Sequence, residues 1–272
     1  MSNTSRFDFN TIIKEIGKAG QEISELGSVE GSAGNISVFV RELYGFDHLF
    51  KPVAKISLPV ISPALSKGWI IFTGTGKRMR DIAQSPETTL CAVQVENGGE
   101  MGMLYAADPH ILPTIEYNSH LAVHNYHVDT NSFDYHAIVH AQPLDITYLS
   151  HKPEYDSTLK MTLRLIRWEP ETICVFPEGI GIVPFQVPGT SEQMIATLEM
   201  MKIHRLVVWQ RHGTVSRSNI SVLKAGDLVE YAEAAARFEM LNLQLGKTDG
   251  GLTDEEILRV CKTNGVTQSF IN

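Results

Sequence analysis

Along this chain, short runs that alternate or are wholly apolar are interleaved with runs of helical period, and that interleaving constrains the fold more than any other feature. In residues 7–26 the apolar side chains Ile12, Ile13, Ile16, Ala19, Ile23 and Leu26 recur at helical spacing, and Gly27 supplies a stop. Residues 35–40 alternate and predict a strand, whereas 41–66 are punctuated by proline and predict an irregular surface excursion. Trp69-Ile70-Ile71-Phe72 has the pattern of a buried strand, and two more strands are expected over 90–95 and 101–106. Pro113 predicts the start of a helix running to about residue 127, followed by a strand over 136–140. Beyond it, helices are expected after Pro143 and over 154–166, 190–201 and 222–245, with strands over 173–176, 180–183 and 206–210. Thr253 and Glu256 are spaced as a capping box opening a last helix over 254–262.

There is no internal repeat, low-complexity segment or clear linker. The simplest architecture is one α/β domain with helices on both faces of a sheet, made mixed by the hairpin-like pair at 90–106. The net charge of −8 argues against general nucleic-acid binding, which needs a basic stripe. It leaves an anionic substrate open, because backbone N–H groups can cradle a phosphate whatever the net charge. Three scattered cysteines without a CxxC pair fit a reducing compartment, and Cys174, in an apolar run, reads as a small buried side chain. The first residues lack the apolar core of a signal peptide, and no stretch is long and apolar enough to span a bilayer, so a cytoplasmic protein without a membrane partner is expected.

Three features can carry chemistry. Gly31-Ser32-Ala33-Gly34-Asn35 and Thr73-Gly74-Thr75-Gly76-Lys77 flank strands and could form anion nests, although each alone is an ordinary turn. Glu116, His120, His124 and His127 fall on one helical face; a packing face of hydrogen-bonded histidines is favoured over a metal face for the three imidazoles. His140 and His212 stand at the carboxyl ends of apolar strands, where ligands bind in α/β sheets.

Read together, these pieces resemble the class II aldolase and adducin-like family, over residues 10–240. The stretch that carries most of the resemblance is Glu171-Thr172-Ile173-Cys174-Val175-Phe176-Pro177-Glu178-Gly179-Ile180-Gly181-Ile182-Val183-Pro184, with Val187-Pro188-Gly189-Thr190 after it. It is supported by Gly34-Asn35-Ile36-Ser37, Thr73 to Lys77, Pro113-Thr114-x-Glu116 and Trp209-x-x-His212-Gly213, in the family's order. The resemblance implies a single three-layer α/β/α domain over 1–272 with a central mixed, largely antiparallel sheet. It implies an enzyme cleaving a ketose 1-phosphate with a divalent metal, zinc in the family, and a homotetramer whose only other partner is the small sugar phosphate. Ser32, Asn35, Thr75, Gly76 and Thr114 would hold the phosphate, with Ile115 where the family has a hydroxyl residue. Glu116 would be the acid/base, and Glu171 would act near the aldehyde from a neighbouring subunit. His140, Gln142 and His212 would hold the metal. The family has His-x-His where this chain has His140-Ala141-Gln142, and an amide oxygen suits harder ions than imidazole does. Other readings are a different aldolase or an epimerase on the same scaffold, an adducin-like binding module, or an unrelated metalloenzyme using the Glu116/His120/His124 face.

Overall fold

The computed structural model describes residues 8–46, 49–247 and 249–271, so Phe7, at the head of the first expected helix, lies outside the described residues. The first half of the chain forms α1 (Phe9–Glu25), β1 (Asn35–Val40), β2 (Lys51–Ser57), β3 (Trp69–Thr73), the one-turn α2 (Pro86–Thr89), β4 (Leu90–Val95), β5 (Met101–Ala106) and α3 (Tyr117–Asn131). The second half forms β6 (Tyr135–Ala141), α4 (Leu144–Leu149), α5 (Thr158–Leu165), α6 (Pro170–Val175), β7 (Gly181–Val183), α7 (Ser191–Met201), β8 (Leu206–Trp209), β9 (Gly213–Ser218), α8 (Val222–Gln244) and α9 (Asp254–Asn264). Among the described residues the strands make one nine-stranded sheet in the order β2-β5-β4-β3-β1-β6-β9-β8-β7. Among the described residues only the strands β7 and β8 pair in parallel, so the sheet is mixed and largely antiparallel.

The layers follow from the two-residue period of the strands. Ile36, Val38 and Val40 of β1 join Ala137, Val139 and Ala141 of β6 in one core with Ile12 and Ile16 of α1, Ile146 of α4, Met161 of α5 and Ala232 of α8. Phe39 and Ile138 face the other way, into cores that include Leu121 and Val123 of α3 and Met201 of α7. Each Ile, Val or Leu so enclosed stabilises the fold by about 1.5–3 kcal/mol relative to exposure. Asn35, Ser37, His136 and His140 stand at alternate positions on the α3 side, and this sets the polar chemistry of the molecule on that face.

Several sequence expectations give way. β2 lies inside the stretch expected to be irregular, at the sheet's edge, with Lys51 and Lys55 exposed and a register shift between Pro52 and Ala54. Lysine, proline and a bulge keep an edge from pairing with another chain, and they also erase the alternation that marks an interior strand. Residues 173–176 do not form a strand, because Pro170 opens the helix α6 and Ile173 packs with Ile257 and Cys261 of α9. β9 is rich in small hydroxyl residues, yet it is enclosed between β6 and β8. α3 starts at Tyr117 rather than at Pro113, since Pro113 bridges Gly74 and the Thr114 N–H donates to the Thr73 carbonyl at 3.1 Å. Cys174 is half-buried rather than enclosed.

Candidate active site

Antiparallel pairing sets Asn35, at the start of β1, directly opposite His140, near the end of β6, so both reach the same end of the sheet. Gly34, with φ +74°, makes the turn into β1; a Cβ there would lie 2.9 Å from the His140 carbonyl oxygen, closer than a side chain tolerates. Just beyond β3, Thr75 donates its N–H to the Leu112 carbonyl (2.9 Å) and its hydroxyl to the Pro113 carbonyl (2.6 Å). That clip holds segment 112–114 and delivers Glu116 as the residue capping α3. His212 comes from the turn between β8 and β9. Gly213 must lack a side chain there, because a Cβ would lie 2.3 Å from the Ala141 carbonyl oxygen.

These turns enclose a cavity of about 350 Å³. Ser32, Asn35, Thr75, Gly76, Thr114, Glu116, His140, Gln142 and His212 all line it, together with Ile115 and Pro188. Glu171 does not: it is exposed on α6 and lies outside the cavity of its own chain. His120, His124 and His127 are buried and hydrogen-bonded, as a packing face requires.

At the floor of the cavity Glu116 is 4% exposed, and its Oε2 accepts the Asn35 amide N–H at 2.9 Å. The same oxygen stands 3.6 Å from His140 Nε2, while Oε1 stands 3.7 Å from His212 Nε2. Both separations are too long for hydrogen bonds. His140 Nδ1 lies 2.8 Å from the Thr214 carbonyl, which can only accept, so Nδ1 carries a proton and Nε2 is the nitrogen turned to the Glu116 side. Burial, reinforced by His140 and opposed by Glu116, pushes His212 down to about 4, so its ring is a neutral imidazole near neutral pH. Burial alone would raise the Glu116 carboxyl; His140, the Asn35 amide, His212 and His120 together outweigh it and hold the group below its ordinary value.

The result is an ionised carboxylate facing two imidazoles, with one donor atom from each of Glu116, His140 and His212 within 4.8 Å of one another. Zinc binds nitrogen and oxygen at about 2.0–2.2 Å, so two donors on one ion stand up to roughly 4.2 Å apart, and separations of 3.6 and 3.7 Å put the Glu116 carboxylate within reach of an ion on either imidazole. Trp209 braces the pair, stacked on His212 at 5.2 Å and tilted against His140 at 4.7 Å, with its indole N–H donated to Thr197. The Pro188 wall is hung from α3 by the Asn118 amide, which donates to the Gly189 and Thr190 carbonyls. The bracing roles of Trp209, Asn118 and the Thr214 carbonyl have no signal in the sequence beyond Trp209 standing one turn ahead of His212.

A largely antiparallel sheet sandwiched by helices, with a carboxylate, two strand-end imidazoles and a small-residue cradle at one end, is the architecture of the class II aldolases. The chain matches the family described as Class II Aldolase and Adducin N-terminal domain over residues 14–240, and it belongs to that family. It is 31% identical over 258 residues to a rhamnulose-1-phosphate aldolase of Pectobacterium carotovorum, spanning 92% of each chain. It is 29% identical over 258 residues to the enzyme of that name from Enterococcus faecalis, spanning 94% of this chain and 91% of that one. A solved sugar-phosphate aldolase from Thermotoga maritima superposes with a TM-score of 0.76 at 28% identity, over 88% of this chain and 98% of the other. An L-fuculose 1-phosphate aldolase, at 21% identity and a TM-score of 0.61, over 93% of this chain and 95% of that one, shares the fold. With relatives of this kind over nearly its whole length, the chain is a lyase.

Proposed function

We propose that this enzyme cleaves L-rhamnulose 1-phosphate to dihydroxyacetone phosphate and L-lactaldehyde with a divalent ion, zinc in the first instance, as a cytoplasmic homotetramer. The observation that carries the reading is the convergence of Glu116, His140 and His212 with the Asn35, Thr75, Gly76 and Thr114 cradle in one cavity. The near-full-length similarity to rhamnulose-1-phosphate aldolases supports the choice of substrate.

Retro-aldol cleavage removes the proton of the C4 hydroxyl, breaks the C3–C4 bond and leaves a carbanion equivalent at C3 that must be protonated. His140, His212 and the Gln142 amide oxygen would hold the ion, beside Glu116. A divalent cation there supplies Lewis-acid stabilisation of charge developing on the C2 and C3 oxygens. Glu116, kept ionised by its depressed pKa, takes the proton that the C4 hydroxyl gives up and delivers it to C3, and the Asn35 amide fixes which oxygen faces the substrate. The phosphate sits among the Ser32 and Thr114 hydroxyls and the backbone of Gly76, and takes the Thr75 hydroxyl once that turns from the Pro113 carbonyl. Glu171, contributed by a neighbouring subunit, acts near the aldehyde.

The test is release of dihydroxyacetone phosphate from L-rhamnulose 1-phosphate by purified protein supplied with zinc, manganese or cobalt. Glu116→Gln should lower kcat by about 10²–10⁴-fold. Gln142, standing in for an imidazole, favours one second reading, a binding module of the adducin kind. Absence of cleavage with every ion, together with no bound metal, would select it.

A further inference from the structure

Two residues along β1 from Asn35, Ser37 faces α3 at a level beneath the cavity. Its hydroxyl oxygen lies 2.7 Å from His120 Nδ1 and 2.7 Å from His124 Nε2. His124 Nδ1 lies in turn 2.7 Å from His136 Nδ1 on β6. All four side chains are at most 1% exposed, and the two outer nitrogens, Nε2 of His120 and Nε2 of His136, have no partner. Burial keeps the imidazoles neutral: His120 is pushed down to about 3, and His124 and His136 lie well below their ordinary value.

A neutral imidazole carries one N–H and a hydroxyl donates once; a Ser37 that accepted from both rings would leave its own O–H without an acceptor, so two patterns pair every group within the chain. In the first, His136 donates to His124, His124 to Ser37 and Ser37 to His120, which leaves an N–H at Nε2 of His120 and a bare Nε2 on His136. In the second, every bond runs the other way. Passing from the first to the second releases one proton from Nε2 of His120 and takes up one at Nε2 of His136, both exchanged with water. The polarity is therefore an equilibrium property of the buried chain and not a relay that cycles with each turnover.

Charges at the two ends select between the patterns. Glu116 stands one helical turn from His120, its backbone carbonyl accepts the His120 backbone N–H, and its charge acts on that ring and on neither of the other two. At the opposite end Arg217 acts on His136. An anion favours the end that bears the outer N–H and a cation favours the bare end, so both charges choose the first pattern. We propose that Ser37, His120, His124 and His136 form a hydrogen-bond chain of fixed polarity, with His120 the positioning residue that ends it on a donor at the Glu116 side. Ser37 thereby ties β1 to α3 a second time, beneath the Asn35–Glu116 hydrogen bond, and holds the carboxylate in place. The inference rests on Glu116 being the acid/base of the aldolase reading.

The experiment is nitrogen–proton NMR of the imidazoles in the zinc-loaded full chain, which distinguishes the tautomers directly. The expected result is Nε2–H on His120 and Nδ1–H on His136. Glu116→Gln should move His136 toward Nε2–H, and Ser37→Ala added to it should abolish that response. Ser37→Ala alone should lower kcat by roughly fivefold to tenfold, the loss of about one buried hydrogen bond, with KM within about twofold. Ser37→Thr, which keeps the hydroxyl, should restore both. The opposite tautomers in the wild-type chain, or a His136 indifferent to Glu116→Gln, would overturn the proposal. If the tautomers respond to Glu116→Gln while activity survives it, the aldolase role of Glu116 fails and the polarised chain stands.

Discussion

In the proposed aldolase, Gln142 would change the character of the donor set, putting an amide oxygen in the cavity beside His140 and His212. Amide oxygen is harder than imidazole, so the change costs zinc more than it costs manganese. Gln142→His should raise the zinc-to-manganese affinity ratio by about tenfold or more, a shift of roughly 1.4 kcal/mol or above, read by competition against a chromophoric chelator. An unchanged ratio would remove Gln142 from the ligand set. Residues of this kind were readable from the sequence where a local constraint left a mark: Asn35 behind Gly34, Thr75 amid glycines, His140 and His212 at strand ends. The Thr214 carbonyl that fixes the His140 tautomer was not readable, because a backbone acceptor carries no residue identity. The same holds for the Ser37 chain, whose partners meet only when β1, α3 and β6 are assembled.

At the scale of elements, ends declared by side chains follow the sequence most closely. Thr253 accepts the Glu256 N–H while the Glu256 carboxylate accepts the Thr253 N–H, as the three-residue spacing predicts. Thr253→Ala should cost about 1 kcal/mol, measurable as a lower denaturant midpoint with an unchanged slope. α9 supports α6 through Ile257 and Cys261 against Ile173, so the loss should also loosen the helix that carries Glu171. Elements whose identity depends on distant neighbours depart from expectation. The run Thr172 to Phe176 has strand composition, but Pro170 and the α9 contact make it helical. β9 is extended because β6 and β8 supply partners on both sides, although no alternation of its own announces it.

For the whole molecule, three fully buried neutral histidines make stability depend on pH. The unfolded chain takes up protons on His120, His124 and His136 near pH 6.5, whereas the folded chain holds off His120 until about 3 and the other two well below their ordinary value. Because the unfolded state binds more protons in that window, the contribution is complete above about 6.5 and is lost as pH falls beneath it. Each histidine contributes a slope of up to about 1.4 kcal/mol per pH unit. Urea midpoints should therefore fall steeply from neutrality to about pH 5, and a flat profile would show that these rings ionise in the folded state. The quaternary reading has its own test. Glu116→Gln and Glu171→Ala proteins, each inactive alone, should regain activity when co-expressed, because a mixed tetramer pairs an intact Glu116 with an intact Glu171 from its neighbour. Persistent inactivity of the mixture would return Glu171 to a role on its own subunit's surface.

The pairing of Asn35 with His140 also bears on the order in which the molecule comes together. β3, β4 and β5 close through short connections, while the seam between β1 and β6 joins parts of the chain far apart in sequence and bears the larger entropy of loop closure. The cradle lies on one side of that seam and the imidazoles on the other. A half-assembled sheet thus carries the cradle or the imidazoles but not both, and binding of a substrate that needs the two together would report that the two halves of the chain have met.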